Sequence, residues 1–274
     1  MVKKIIACSD IHIRNLRRLE ETYDMLSKFI DDCKKVVKEN KLNYEEVRIV
    51  VAGDLFENKI NVSNEANLAA SWFLNSLSEV GKTIVVCGNH DYLANNKTRV
   101  DSITPIVSIM GNENICYIDA EMEFNSGCLV DDNILWCLYS TFDSFNRPEI
   151  DLVEDDYCKV GLIHGDINGA VSDTMRVTDK GLDPSVFEGL DFVIAGHIHK
   201  FQEIKKHGVK VVYCSSLIQQ NNGESIHGHG YVLWDIETTK YEFMPLENVD
   251  YGFYKFSIND ITDIEEDKEN LVNL

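Results

Sequence analysis

Nothing in the 274-residue sequence approaches the run of about 18 apolar residues that a membrane-spanning helix needs, so no membrane partner is expected. The eight cysteines contain no Cys-x-x-Cys pair, which removes the usual thiolate metal site and redox motif. Cys8, Cys87, Cys137 and Cys214 instead sit in or beside strand-like apolar runs, where a free thiol packs as a small hydrophobe. A reduced, intracellular compartment, cytoplasm or a eukaryotic nucleus, is the expectation. Met1 to Cys8 meets Asp10 after a very short apolar stretch and reads as a buried strand rather than a secretory leader. Positive charge is scarce: 26 Lys and Arg face 46 Asp and Glu, a net charge of -20. That balance argues against a generic polyanion binder and suits a site that collects divalent cations. No internal repeat or low-complexity tract appears.

What is present alternates. Val2–Cys8, Val47–Ala52 and Thr83–Cys87 are short β-branched runs that predict strands. Between them, Asn15–Asn40 carries apolar residues at 3–4 spacing, and Ser63–Val80 begins on a capping serine and stops before Gly81, predicting two helices. This order implies parallel pairing in an α/β sheet. From Ile115 onward short strands dominate: Ile115–Ile118, Ile134–Tyr139, Lys159–Ile163, Asp191–Ala195, Val209–Tyr213, Gly230–Ile236 and Lys240–Met244, enough for a second sheet packed on the first. After Pro245 comes a strand-like Tyr251–Phe256 and an acidic, helix-prone end.

Metal-competent residues fall just past successive strands, where open α/β sheets place their sites. They are Asp10 and His12, Asp54, Asn89-His90-Asp91, His164, and His197 and His199. Carboxylate, amide and imidazole together suit Mn²⁺, Fe²⁺, Mg²⁺ or Zn²⁺ rather than a thiolate-bound metal. The i, i+2 spacing of Asp10/His12 and His197/His199 would aim both side chains of an extended segment one way. The glycines before Asp54, Asn89 and His197 allow tight turns. Each motif alone is commonplace as a turn or a surface feature; the ordered set of five, each after a strand, is specific.

That set resembles the calcineurin-like metallophosphoesterase superfamily. The resemblance implies a four-layer α/β fold, two packed mixed β-sheets flanked by helices, around two divalent metal ions, Mn²⁺ foremost. It implies one metal on Asp10, His12, Asp54 and His199, and another on bridging Asp54, Asn89, His164 and His197. His90 would be the catalytic histidine that is not a ligand, and Asp91, beside it, a candidate to orient its ring; the competing reading of Asp91 is a turn carboxylate. The stretches from Gly196 to Gln202, Tyr213 to Gln220 and Gly230 to Asp235 are similar to the DNA nuclease subunit of double-strand-break repair, including SbcCD-type and phage recombination nucleases. The departures are Cys214 or Ser215 where relatives have Gly, and Ile13-Arg14 after the first His. The resemblance implies an exonuclease/endonuclease acting on DNA in repair or recombination, a coiled-coil ATPase partner and a homodimer. It divides the chain into a nuclease domain, 1–245, and the start of a truncated or minimal capping segment, 246–274.

Three other readings compete. A phosphoprotein phosphatase would follow Gly-Asp with an arginine that grips phosphate, and Leu55-Phe56-Glu57-Asn58 holds none. A small-molecule or cyclic-nucleotide phosphodiesterase fits the same metal motifs. A non-enzymatic scaffold would lack a ligand or His90. Arg14, Arg17 and Arg18 follow the first metal loop; cations in a first helical turn oppose the helix dipole, so they are candidate DNA contacts, against a solvated arginine face. His207, His227 and His229 are expected to be solvated loop histidines.

Overall fold

The computed structural model describes residues 1–96, 98–150, 156–172, 175–248 and 250–253. β1 (Lys4–Cys8), β2 (Val47–Ala52), β3 (Lys82–Val86) and β4 (Ile115–Tyr117) run parallel, connected through α1 (Leu19–Glu39), α2 (Asn64–Ser78) and α3 (Thr104–Met110). A one-turn α4 (Ile118–Glu121) follows β4. The second sheet is built from β5 (Gly127–Asp131), β6 (Ile134–Tyr139), β7 (Cys158–His164), β8 (Phe192–Gly196), β9 (Gln202–Lys206) and β10 (Val209–Tyr213). β11 (Gly230–Asp235) and β12 (Lys240–Pro245) then return antiparallel to the first sheet. The orders are β12-β11-β1-β2-β3-β4 and β5-β6-β7-β8-β10-β9, so each sheet carries four parallel strands and antiparallel strands at its margin. This is the expected two-sheet α/β fold flanked by helices.

The residues explain the layers. β2 is buried at all six positions, so both its faces must be apolar, as Val-Arg-Ile-Val-Val-Ala nearly is. One face packs on Phe29, Ile30, Phe73 and Leu77 of α1 and α2. The other meets Trp136, Leu162 and Ile194 of the second sheet, where Phe192 stacks on Trp234 of β11 at 3.9 Å. Each such buried side chain contributes about 1.5–3 kcal/mol. The exception in β2, Arg48, crosses between the sheets to Asp131: Nε to Oδ2 is 2.7 Å and Nη2 to Oδ1 is 3.0 Å. Lys82 and the Trp136 indole N–H, each at 3.2 Å, complete the shell of that carboxylate.

The two long helices depart from their expected bounds. α1 starts at Leu19 rather than Asn15, because Leu16 and Arg18 take left-handed backbone (φ 57 and 53) and Leu16 points outward, 71% exposed. α2 begins as expected on Ser63, whose Oγ accepts from Ala66 N at 3.2 Å, but it ends at Ser78, ahead of Gly81. Of the expected strand Tyr251–Phe256, Tyr251 lies in a turn and Gly252 and Phe253 are irregular; the remainder, with the acidic end, lies outside the described residues. No helix among the described residues is long and apolar enough to cross a membrane. All eight cysteines are free thiols.

Candidate metal centre

The C-terminal ends of β1, β2, β3, β7 and β8 meet along one rim where the two sheets face each other, and all seven expected ligands lie there. The loops are zipped together by backbone: His12 N donates to Asp54 O, Ile13 N to Leu55 O and Asp10 N to Gly53 O, each at 3.0 Å. The backbone is also bent. Asp10, His12, Asp54 and His197 all occupy the left-handed region, with φ of 53, 50, 52 and 99. Non-glycine residues held there cluster at functional sites. The convergence of Asp10 with His12 therefore comes from a left-handed turn, not from the extended segment that the i, i+2 spacing predicts. Gly53 (φ 90) is required twice over, since a Cβ there would collide with the His164 ring.

One donor set gathers Asp10, His12 and His199 and another Asp54, His164 and His197, each within 4.8 Å; a trio of His12, Glu57 and His90 lies within the same distance beside the first. His12 Nε2 lies 3.1 Å from His199 Nε2, 3.6 Å from Asp54 Oδ2 and 4.0 Å from Asp10 Oδ1. His164 Nε2 lies 3.2 Å from both Asp54 Oδ2 and Asn89 Oδ1, and His197 Nδ1 lies 2.7 Å from Asn89 Oδ1. Asp54 thus touches both sets.

The opposite nitrogens decide the tautomers. His12 Nδ1 sits 2.8 Å from Glu57 Oε2, His199 Nδ1 2.8 Å from Glu224 Oε1, and His164 Nδ1 2.8 Å from the Ala52 carbonyl. Glu224 and the Ala52 carbonyl place the His199 and His164 ring protons on their own side, while Glu57 stands beside His12 Nδ1 as an ion-pair contact without hydrogen-bond alignment. The inward nitrogen of His199 then presents a lone pair toward His12 Nε2, and the neutral His164 ring would present one toward Asn89 Oδ1. Imidazole nitrogens converging with buried carboxylates and an amide are the chemistry of a cation donor set, and the residues present fit divalent ions. In the ion-free centre Asp54 and His164 offset each other as a charge pair. Burial alone would raise Asp54, but the His164 and His12 imidazoles hold it well below the usual carboxylate range. Burial alone would lower His164, but Asp54 lifts it to about 10.

His90 stands at the rim with its ring edge-on to His12, centroids 4.9 Å apart. Its backbone N–H donates to Asp54 Oδ1 at 2.7 Å. The expected Asp91–His90 pairing is not found. Asp91 is fully buried and accepts from Leu55 N (3.3 Å), Phe56 N (2.9 Å) and Gly88 N (2.9 Å), so it ties the second and third loops together as a turn carboxylate. Burial, with Asp54 nearby, pushes Asp91 up, against those three amide donors. The His90 ring is held instead through Nδ1 by the Glu57 carbonyl, at 2.9 Å. Sequence reading missed Glu57, Glu224 and Asp166, whose Oδ2 lies 3.6 Å from His197 Nε2; the only signal was an acidic residue three places after Asp54.

The three arginines separate. Arg14 Nη2 donates to the Gln220 carbonyl at 2.7 Å and to Gln220 Oε1 at 3.2 Å. Arg18 precedes the helix as its N-cap residue, pairs with Glu21, donates to the Gln219 carbonyl at 2.7 Å and lies under the Phe253 ring. Both therefore anchor the Gln219–Glu224 loop, while Arg17 is exposed beside an open groove of about 670 Å³ lined also by Arg14, Glu57, Asn58 and Phe253. His207 and His227 are exposed as expected, but His229 is buried, with Nδ1 2.9 Å from Ser216 Oγ and Nε2 2.7 Å from the Ser225 carbonyl.

This arrangement is that of a metallophosphoesterase. Residues 4–239 match the calcineurin-like phosphoesterase superfamily domain, and the chain belongs to that superfamily of hydrolases, whose members use divalent metals. It is 29% identical over 268 residues to an uncharacterised protein of Acanthamoeba polyphaga mimivirus, covering 94% of this chain and 19% of that protein's length. Among solved structures it is similar to an archaeal phosphodiesterase (16% identity, 89% of this chain and 99% of the other, TM-score 0.43). A phosphopantetheinyl hydrolase from Mycobacterium tuberculosis also matches (12%, 78% and 89%, TM-score 0.45). A hypothetical protein from Pyrococcus horikoshii OT3 does so too (12%, 100% and 95%, TM-score 0.45).

Proposed function

We propose that the chain hydrolyses phosphodiesters in DNA as a Mn²⁺-dependent nuclease of repair or recombination. The observation that carries the reading is Asp54, which belongs to one donor set, reaches His12 of the other and fixes the His90 backbone, with Glu57 beside His12 lining an open groove. In this reading Asp10, His12, Asp54 and His199 hold one ion, and Asp54, Asn89, His164 and His197 the other. When bound, two such ions supply a water acidic enough to ionise near neutral pH and offset charge on the phosphate oxygens. The chain's own residues do the rest. Asp54 keeps the two sets in register and fixes the His90 backbone. The Glu57 carbonyl accepts from His90 Nδ1, so when the ring is an imidazolium the second proton, on Nε2, is the one passed to the departing sugar oxygen, leaving the neutral Nδ1–H ring. Arg17, exposed on the groove, is positioned for a neighbouring backbone phosphate.

The expected homodimer and coiled-coil ATPase belong to this proposal. Leu68 on α2 and Ile109 on α3 are 67% and 85% exposed, an apolar pair suited to a helical interface. One observation favours a second reading: the net charge of -20 suits a small diester better than a long polyanion. Purified chain with Mn²⁺, given duplex DNA, single-stranded DNA, a cyclic nucleotide and a phosphopeptide, tests both. Turnover of DNA with a cyclic nucleotide left intact is the expected result, and the reverse order overturns the nuclease reading.

A further inference from the structure

The two donor sets differ in what stands behind their imidazoles. In the Asp10 set both face carboxylates: Glu224 Oε1 is hydrogen-bonded to His199 Nδ1 at 2.8 Å, and Glu57 Oε2 lies 2.8 Å from His12 Nδ1 as an ion-pair contact without hydrogen-bond alignment. In the Asn89 set His164 leans on the neutral Ala52 carbonyl, and His197 faces Asp166 at 3.6 Å, a carboxylate 52% exposed to water. The sets also differ in their own charge. Asp10 and Asp54 are two carboxylates, whereas the Asn89 set has only the shared Asp54 and a neutral amide.

Neither backing carboxylate is adventitious. Glu224 is 6% exposed, and its Oε2 accepts from Gln220 N at 2.7 Å. The loop that carries it is pinned by Arg14 and Arg18 through the Gln220 and Gln219 carbonyls. Glu57 is fixed by its own backbone, whose N–H donates to the Ile13 carbonyl at 3.1 Å. A carboxylate behind an imidazole fixes its tautomer, raises its basicity and adds charge toward the ion.

We infer that Glu57 and Glu224 are positioning residues that make the Asp10 set the tighter cation site, filled first, and leave the Asn89 set as the weaker, exchangeable one. The inference rests on the two-cation reading of the centre. Arg14 and Arg18 enter it indirectly, as the clamps of Glu224.

Mn²⁺ titrated calorimetrically into the metal-free full chain tests it, with an electron paramagnetic resonance spectrum at half saturation. The expected result is two steps at least about tenfold apart, with the half-loaded sample showing isolated rather than coupled ions. Glu57→Gln and Glu224→Gln are each expected to weaken the first step by about 10–100-fold and leave the second within about twofold. Asp166→Asn is expected to move only the second. One affinity for both equivalents, or glutamine variants that shift the second step as much as the first, overturns the inference while the two-cation centre stands. No Mn²⁺ uptake by the wild-type chain overturns both. Thermal melting of the metal-free variants separates misfolding from ligand loss; if Glu224→Gln melts early, Glu57→Gln, on the open rim, carries the test.

Discussion

Asp54→Asn is the most informative single change, because one side chain serves both donor sets and the His90 backbone. Its carboxyl is 2% exposed, with Oδ2 within 3.6 Å of His12 Nε2 and 3.2 Å of His164 Nε2, and Oδ1 2.7 Å from His90 N. Asparagine keeps the size and one acceptor but removes the charge. An ion inside a donor set no wider than 4.8 Å lies within about 4 Å of that carboxyl, where a unit charge is worth about 4 kcal/mol at an effective dielectric near 20, and a divalent ion about twice that. Water entering the vacated position returns part of this. A residual loss of about 3 kcal/mol per ion weakens each dissociation constant by about 100-fold. Calorimetric titration with Mn²⁺ and elemental analysis after desalting measure it, alongside hydrolysis of DNA, which is expected to vanish. A variant that retains two full equivalents at unchanged affinity refutes the bridging role, whatever its activity.

His90→Ala is expected to keep both equivalents of Mn²⁺ and lose about 10²–10⁴-fold in turnover; near-normal rates remove it from leaving-group chemistry. Arg17→Glu is expected to weaken binding of long DNA and lower the salt slope by about 1 while sparing a small chromogenic diester. Arg18→Glu, which frees the Glu224 loop, is expected to reduce both activities, and equal behaviour of the two variants contradicts the separation. For Asp131, burial would raise the carboxyl, but Arg48 holds it down to about 2. Against about 3.9 in the unfolded chain this stabilises the fold by about 2–3 kcal/mol above pH 3.9, and the contribution is lost as pH falls through about 2. Denaturant titrations of Asp131→Asn against wild type between pH 2 and 6 are expected to converge at the acid end; a constant gap rejects the pairing.

How far the sequence reaches depends on what each residue does. Val47–Ala52, Ile134–Tyr139 and Val209–Tyr213 are strands with the expected bounds, because wholly or largely buried β-branched runs have few other ways to pack. Gly127–Asp131 and Gln202–Lys206 escape notice because they are edge strands, largely half-exposed, and Gln-Glu-Ile-Lys-Lys buries only Ile204. The rim residues are readable because each follows a strand that must end there. Their supports are not. Asp91 is next to His90 in sequence, yet its carboxyl turns back to the Gly88 and Phe56 amides, while Glu224 reaches His199 across 25 residues through a loop with no periodicity. Adjacency along the chain is a poor guide to who orients an imidazole.

The acidity, unfavourable to a polyanion, bears on the order of binding. Residues 247–274 carry a net charge of -6, leaving -14 on the rest, so the acidic end does not account for it. Around the centre, Asp10, Asp54, Glu57, Glu224 and Asp166 bring five carboxylates together, and two divalent ions offset four of those charges. A phosphodiester approaching the metal-free rim meets like charge in a cleft that focuses it; approaching the loaded rim, it meets near neutrality with Arg17 at the side. DNA affinity should therefore depend on metal. His90→Ala, which stops turnover, allows the comparison by fluorescence anisotropy of a labelled duplex at fixed ionic strength, with Mn²⁺ or with chelator. Binding at least tenfold weaker in chelator, about 1.4 kcal/mol, is expected. Equal affinity in both would mean that the duplex is held away from the centre, and the cleavage role assigned to Asp54 and its neighbours would lose its substrate.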